Sequence, residues 1–237
     1  MIQIFRAIFG MVLMWLGVLG SPSNADPAFV LRTIEGWTVH VDERLLAKEV
    51  ADTEKALTLL QQQLAEIVRK VPANAVVKLR EVPLWFSPEY DGITPRAEYH
   101  PNERWLRANG RNPAMVKCVE FTNVRIFEKE VRRMPNFALH ELAHAYHDRV
   151  LSFEHPDVVA AFERARAAKL YDNVERTRGD GRPNSREKAY AMNDHKEYFA
   201  ETSESFFSRN DFFPFNREEL EKHDPEMAAL LQRLWGN

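Results

Sequence analysis

The chain has 237 residues, of which 45% are hydrophobic and 28% are charged, as is ordinary for a globular protein. Its net charge of −3 argues against a nucleic-acid partner, because nucleic-acid-binding domains usually carry a strongly basic surface. The single cysteine, Cys118, cannot form an internal disulfide, and without a Cys-x-x-Cys pair a thiolate zinc site is excluded.

The first 25 residues have the three-part pattern of a secretory signal peptide. Arg6 is their only charge, an apolar run extends from Ala7 to Leu19, and a short polar stretch ends at Ala25. The apolar run has 13 residues, which is short for a membrane span of about 20, although an uncleaved N-terminal anchor is the alternative. We therefore expect a secreted or periplasmic protein, cleaved near Ala25, with no stable membrane span after cleavage.

Hydrophobic periodicity predicts strands early in the chain and helices late. The predicted strands are 36–46, 75–87 with a break at Pro83, and 115–124. Residues 88–113 are rich in Pro, Gly, Asn and Asp and predict a loop with at most short structure. The predicted helices are 52–71, Pro135 to about Leu151, 156–174, 194–208, and 217–235 with a break at Pro225, while 176–186 predicts a loop or hairpin tip. This order indicates an α+β fold in which 26–237 form one domain.

The helix after Pro135 contains His140-Glu141-Leu142-Ala143-His144, a match to H-E-x-x-H. Residues four apart lie on the same helical face one turn apart, so both imidazoles can converge on one ion. Glu141, beside the first of them, can then direct its carboxylate toward a water on that ion. The motif alone also fits an ordinary amphipathic helix. A metal site would need a third ligand from elsewhere in the chain.

A catalytic zinc ion requires three protein ligands and one open position. The continuation H-E-x-x-H-x-x-G-x-x-H is excluded, because His147 and Val150 stand where Gly and His would be needed. A second continuation takes a glutamate from a later helix, and "EYFAETSESFF" offers Glu197, Glu201 and Glu204 on one helical face. An acidic face turned toward solvent is the alternative interpretation of these three carboxylates.

Together, H-E-L-A-H and E-Y-F-A-E-x-S-E-x-F-F resemble the gluzincin metallopeptidases. The similarity is closest to the lethal-factor-like catalytic domains and the Mlc titration factor peptidases, and it covers about residues 136–208. It implies a zincin-like metallopeptidase domain with a small N-terminal sheet and a mainly helical C-terminal part. It also implies one Zn²⁺ per chain, bound by His140, His144 and Glu197.

The same resemblance assigns roles to the remaining residues of the site. It implies that Glu141 is the general base, that Tyr190, seven residues before Glu197, assists the transition state, and that Glu201 accepts a hydrogen bond from a ligand histidine. Asp194 and His195 are rivals for that supporting role, and His147 is expected to line the cleft or form a hydrogen bond. The implied activity is hydrolysis of a peptide or protein substrate by a zinc-activated water.

Three further points stay open at the level of sequence. We expect residues 116–122 to form an edge strand that holds an extended substrate by strand addition. An alternative to the enzyme is a catalytically inactive, secreted peptide-binding module with the same fold. A second alternative is a structural secreted domain that binds no metal.

Overall fold

The structure is a computed structural model that describes residues 28–236. Its N-terminal part is a small mixed sheet. Its strands are β1 (Phe29–Ile34), β2 (Trp37–Asp42), β3 (Leu84–Phe86), β4 (Ala97–Tyr99) and β5 (Val119–Phe121). They lie in the order β1-β2-β3-β5-β4, so β1 and β4 are the two edges. Strands β2, β3 and β5 are parallel, whereas β1 and β4 are antiparallel to their neighbours. The predicted signal peptide lies outside the described residues.

Helices make up most of the described chain. Their bounds are α1 Glu43–Lys48, α2 Val50–Lys70, α3 Ala73–Leu79, α4 Glu103–Ala108, α5 Phe127–Arg133, α6 Phe137–Tyr146, α7 Pro156–Ala167, α8 His195–Phe207, α9 Arg217–His223 and α10 Pro225–Gly236. A second, two-stranded sheet joins β6 (Val174–Arg176) to β7 (Ser185–Glu187) in an antiparallel hairpin. This hairpin confirms the prediction of a hairpin tip over 176–186. The combination of a small sheet with many helices confirms an α+β fold.

The predicted strand over 75–87 is wrong for most of its length. Residues 73–79 form α3, and only Leu84–Phe86 are extended. Two adjacent valines favour a strand locally, but Ala75, Val76 and Leu79 are buried on one helical face, and this packing overrides the preference. The proline at position 83 lies just before β3 rather than inside a strand.

Other boundaries also differ from those predicted. The strand over 36–46 ends at Asp42, whose side chain accepts a hydrogen bond from the Arg44 backbone N–H and so starts α1. The strand over 115–124 is reduced to Val119–Phe121, because 3₁₀ turns occupy both of its flanks. The helix over 156–174 ends at Ala167, and the chain then enters β6.

Strand β5 is central, which makes the expectation of a substrate-binding edge strand over 116–122 wrong. It pairs with β3 on one side and with β4 on the other, so its backbone groups are already used. The edge next to it is β4, from the segment predicted to be loop. Any strand addition on this side of the sheet would have to use β4.

Helix α6 is fixed at both ends by buried contacts. At its start, the backbone N–H of Ala138 donates to Gln63 Oε1 of α2 at 2.9 Å, and Asn136 caps the helix through Leu139 N. Near its end, the Tyr146 ring stacks on Trp235 of α10 with centroids 4.1 Å apart. Residues His147–Leu151 continue it as a π-helical turn. These contacts fix the position of helix α6 and of the side chains that it carries.

Within the described residues, no helix is both long and apolar enough to cross a membrane.

Candidate metal centre

Helices α6 and α8 bring the three predicted ligands together. His140 Nε2 lies 3.1 Å from Glu197 Oε2 and 3.1 Å from His144 Nε2. The third side of the triangle, from His144 Nε2 to Glu197 Oε2, is 3.2 Å. Helix α8 is positioned at this point by Asp194, whose carboxylate accepts from the backbone N–H groups of Lys196 and Glu197. The site thus combines one turn of α6 with the first turn of α8.

His140, His144 and Glu197 form a candidate metal triangle, and it has the size and the donor set that a zinc ion requires. Two imidazole nitrogens and one carboxylate oxygen are ordinary zinc ligands, with bonds of roughly 2.0–2.2 Å. In a tetrahedral site such bonds separate neighbouring ligand atoms by roughly 3.3–3.5 Å, close to the spacing of these three atoms. The residues present therefore fit a zinc ion.

Electrostatics at this point favour a charged carboxylate. Burial acts to raise the pKa of Glu197, but hydrogen bonds with His140 and His144 outweigh it and hold that pKa well below its usual value. Glu197 is therefore an anion over the whole physiological range, the form in which a carboxylate binds metal.

Glu204, not Glu201, contacts the far side of the His140 ring. His140 Nδ1 lies 3.0 Å from Glu204 Oε2 but 3.7 Å from the nearest oxygen of Glu201. Glu201 instead accepts a hydrogen bond of 3.0 Å from Asn210 Nδ2. The expectation that Glu201 makes the bond to a ligand histidine is wrong in this respect. An Nδ1–H donated to buried Glu204 leaves the Nε2 lone pair of His140 for an ion.

Replacing each of these two glutamates by glutamine tests which of them orients His140. We expect Glu204→Gln to weaken zinc binding by about 10- to 100-fold, because a carboxylate hydrogen-bonded to a ligand histidine fixes its tautomer and raises its basicity. The matched control, Glu201→Gln, is expected to change zinc affinity by less than about threefold, since its nearest oxygen lies 3.7 Å from the ring. Competition with a chromogenic chelator measures both. A larger loss in Glu201→Gln would reverse the assignment.

Glu141 contacts strand β4 in the wall of the cleft. Its Oε2 accepts a hydrogen bond of 2.8 Å from the backbone N–H of Tyr99. The Tyr99 hydroxyl donates to Asp148 Oδ2, also at 2.8 Å, so the strand is attached to both α6 and the π-helical turn. No sequence motif marks Tyr99, and its role depends on the position of β4 at the edge of the sheet.

The outward edge of β4 is open toward the same cleft. The backbone of Arg96 accepts from Thr122 N, and His100 N donates to Cys118 O, so these residues bond inward to the β5 side. Alternate residues of an antiparallel strand point their peptide groups in opposite directions, so those of Ala97 and Tyr99 point outward. Because Glu141 already uses the Tyr99 N–H, an extended peptide would pair with β4 through the outward groups of Ala97 and the Tyr99 carbonyl.

Tyr190 lies at the rim of the cleft, in a 3₁₀ turn just before α8, and is 48% exposed. Burial raises the pKa of its hydroxyl, and the nearby Glu197 carboxylate adds to the effect. The phenol is therefore protonated at physiological pH and can donate a hydrogen bond to a group in the cleft.

The remaining histidines near the centre do not join the metal triangle. His147 is fully buried, and within residues 28–236 neither of its ring nitrogens has a hydrogen-bond partner. Burial is the main cause that lowers its pKa, to about 3, and repulsion from His195 adds to it. His147 is thus a neutral ring whose centroid lies 4.7 Å from that of the Phe199 ring. This contradicts the expectation of a cleft-lining or hydrogen-bonding residue.

The metal triangle opens into a cleft of about 460 Å³. Its walls come from β4, α6, the start of α8 and the segment around Phe212. The apolar part of the lining is formed by Met134, Phe137, Phe153 and Phe212. A volume of this size accommodates a few residues of an extended peptide.

Compared with known proteins, the chain matches no protein-family profile, no curated protein and no solved structure.

Proposed function

We propose that this protein is a zinc metallopeptidase with a zincin-like domain over residues 26–237 that belongs with the gluzincins. The observation that carries the proposal is the triangle formed by His140, His144 and Glu197, whose ligand atoms are 3.1–3.2 Å apart. Glu141 beside it and an open strand edge in the wall of the cleft add support. The N-terminal pattern supports secretion or export to the periplasm.

In this proposal, one zinc ion is held by those three residues. When bound, it supplies Lewis-acid chemistry, which acidifies water and polarises a carbonyl. Glu141 accepts the proton of the attacking water and passes it to the leaving amine. Because Tyr99 N–H holds one oxygen of that carboxylate, the other oxygen remains for the proton.

The substrate in this proposal is a peptide or protein segment in an extended conformation. It adds to β4 through the outward N–H and carbonyl of Ala97 and the carbonyl of Tyr99, while the Tyr99 N–H stays on Glu141. This mode uses main-chain hydrogen bonds. The Tyr190 hydroxyl, at the rim of the cleft, donates a hydrogen bond to the oxyanion as it forms.

Metal content and metal-dependent hydrolysis test the proposal together. We expect about one zinc ion per purified chain, with hydrolysis of a mixed peptide library that stops on chelation and returns with added zinc. Glu197→Ala is expected to lose most of the zinc, because it removes one of three ligands. Glu218→Ala, an exposed glutamate on α9, is the control and is expected to keep it.

The negative outcomes are distinct from one another. Zinc retained in Glu197→Ala would show that another group is the third ligand. A chain that binds no zinc even after addition would be a structural domain. Zinc and peptide binding without hydrolysis would identify an inactive peptide-binding module.

A further inference from the structure

The arginines that line the cleft are already paired with carboxylates. Each has an acidic partner within 4.0 Å in the described part of the chain. The pairs are Arg133 with Glu130 and Asp211, Arg176 with Asp211 and Glu187, and Arg96 with Glu98. The charges of Arg133 and Arg176 are therefore largely compensated before any substrate arrives, and the charge of the exposed Arg96 is screened by water.

Lys196 is the exception among the cleft-lining cations of residues 28–236. It directly precedes the proposed ligand Glu197 and is partly buried, and no carboxylate of the described residues lies within 4.0 Å of its ammonium. Its Nζ lies over the Phe153 ring in a cation–π contact, 4.9 Å from the ring centroid, and Phe153 also lines the cleft. The closest acidic neighbour in sequence, Asp194, uses its carboxylate to cap the start of α8.

A partly buried ammonium without a counter-ion is a ready partner for an anion. Because the protein wall replaces part of its water, an ion pair at this point is stronger than a pair on an open surface. A cation–π contact leaves the ammonium with its full charge and its hydrogen-bond donors, so Phe153 does not replace a counter-ion. The peptide N–H groups at the start of α8 are occupied by Asp194, so the ammonium is the group left to bind the anion.

We propose that Lys196 is a specificity-determining residue that binds an acidic side chain, Asp or Glu, near the scissile bond of the substrate. This inference rests on the proposed peptidase function and adds the class of substrate to it. The carboxylate would lie beside Lys196 and Phe153, at the start of α8.

Matched peptide pairs test this directly. Peptides that differ only by Glu or Gln are compared at each position flanking the cleavage site. We expect wild type to favour Glu at one position by about tenfold in kcat/KM, or ~1.4 kcal/mol. Lys196→Met is expected to abolish that preference while still cleaving the Gln peptide, and Lys196→Glu should favour a Lys peptide at the same position. Lys222→Met, an equal charge change on α9 outside the cleft, is the control.

Binding supplies a second readout that does not depend on turnover. The same peptides are titrated into zinc-loaded Glu141→Gln protein at low and high salt. The Glu peptide is expected to bind more tightly, with an advantage that shrinks as salt rises and is missing in the Lys196→Met background.

The failures of the two proposals are distinguishable. Wild-type protein that cleaves Glu and Gln peptides equally at every position would overturn the role of Lys196 and leave the peptidase intact. An acidic preference that persists in Lys196→Met would also overturn it and assign the preference to another cation. No hydrolysis of any peptide, with no difference in binding, would overturn both proposals.

Discussion

Glu141→Gln is expected to lower kcat by a factor of about 10²–10⁴ without loss of zinc, because glutamine keeps the shape of the side chain but cannot accept a proton. Its amide can still receive the 2.8 Å hydrogen bond from Tyr99 N–H through its oxygen, so the local structure should persist. Steady-state hydrolysis of a cleaved library peptide measures the first effect, and elemental analysis of the same sample measures the second.

Glu98→Gln is the matched control for that variant. Glu98 also lines the cleft, but its carboxylate is 3.9 Å from Arg96 and does not contact the metal triangle. We expect its kcat to stay within about threefold of wild type. If Glu141→Gln kept full activity, Glu141 would not be the base. If it lost zinc as well as activity, its role would be structural.

Asp224→Ala is expected to lower the free energy of unfolding by about 3 kcal/mol, the lower end of the range for removing one partner of a buried ion pair. Asp224 is 2% exposed and connects α7, α8 and α10 through side-chain hydrogen bonds. It accepts from Tyr198 at 2.5 Å, from Arg164 at 3.0 Å and from Tyr171 at 3.2 Å. Its loss would leave two buried hydroxyls without an acceptor, and Arg164 would keep only its pair with Glu226.

Urea denaturation of zinc-free protein isolates this effect from metal binding. Asp224→Asn keeps an acceptor oxygen and is expected to lose less stability than Asp224→Ala. Glu221→Ala, which breaks an exposed pair with Arg217, should stay within about 0.5 kcal/mol of wild type. Equal stability of Asp224→Ala and wild type would show that the network contributes nothing net. Because Tyr198 adjoins Glu197, the same substitution should also weaken zinc binding.

Local features of the chain were predictable where one element decides them. The spacing of His140 and His144 places both rings on one face of α6, whatever surrounds the helix. The breaks at Pro225 and in the 176–186 hairpin follow from backbone chemistry, and both occur as predicted. The failure over 75–87 has the same origin, since valine favours strands only when no helical packing competes.

Non-local features were not predictable in this way. Glu197, Glu201 and Glu204 share one stripe of α8, and the sequence offers all three to the metal. Where α8 crosses α6 decides that Glu197 reaches Nε2 of His140 while Glu204 reaches Nδ1. The order of strands is equally non-local, because β5 follows β4 in the chain yet lies between β3 and β4 in the sheet.

The sequence by itself thus determined the pair of histidines, the glutamate beside them and the helical stripe that meets them, because helical periodicity acts over a few residues. Only the tertiary structure decided which glutamate supports His140, which strand borders the cleft, and that Lys196 has no acidic partner in the part of the chain that the structure describes. These depend on the packing of segments far apart in the chain, and buried area and hydrogen bonding, rather than local preference, set that packing.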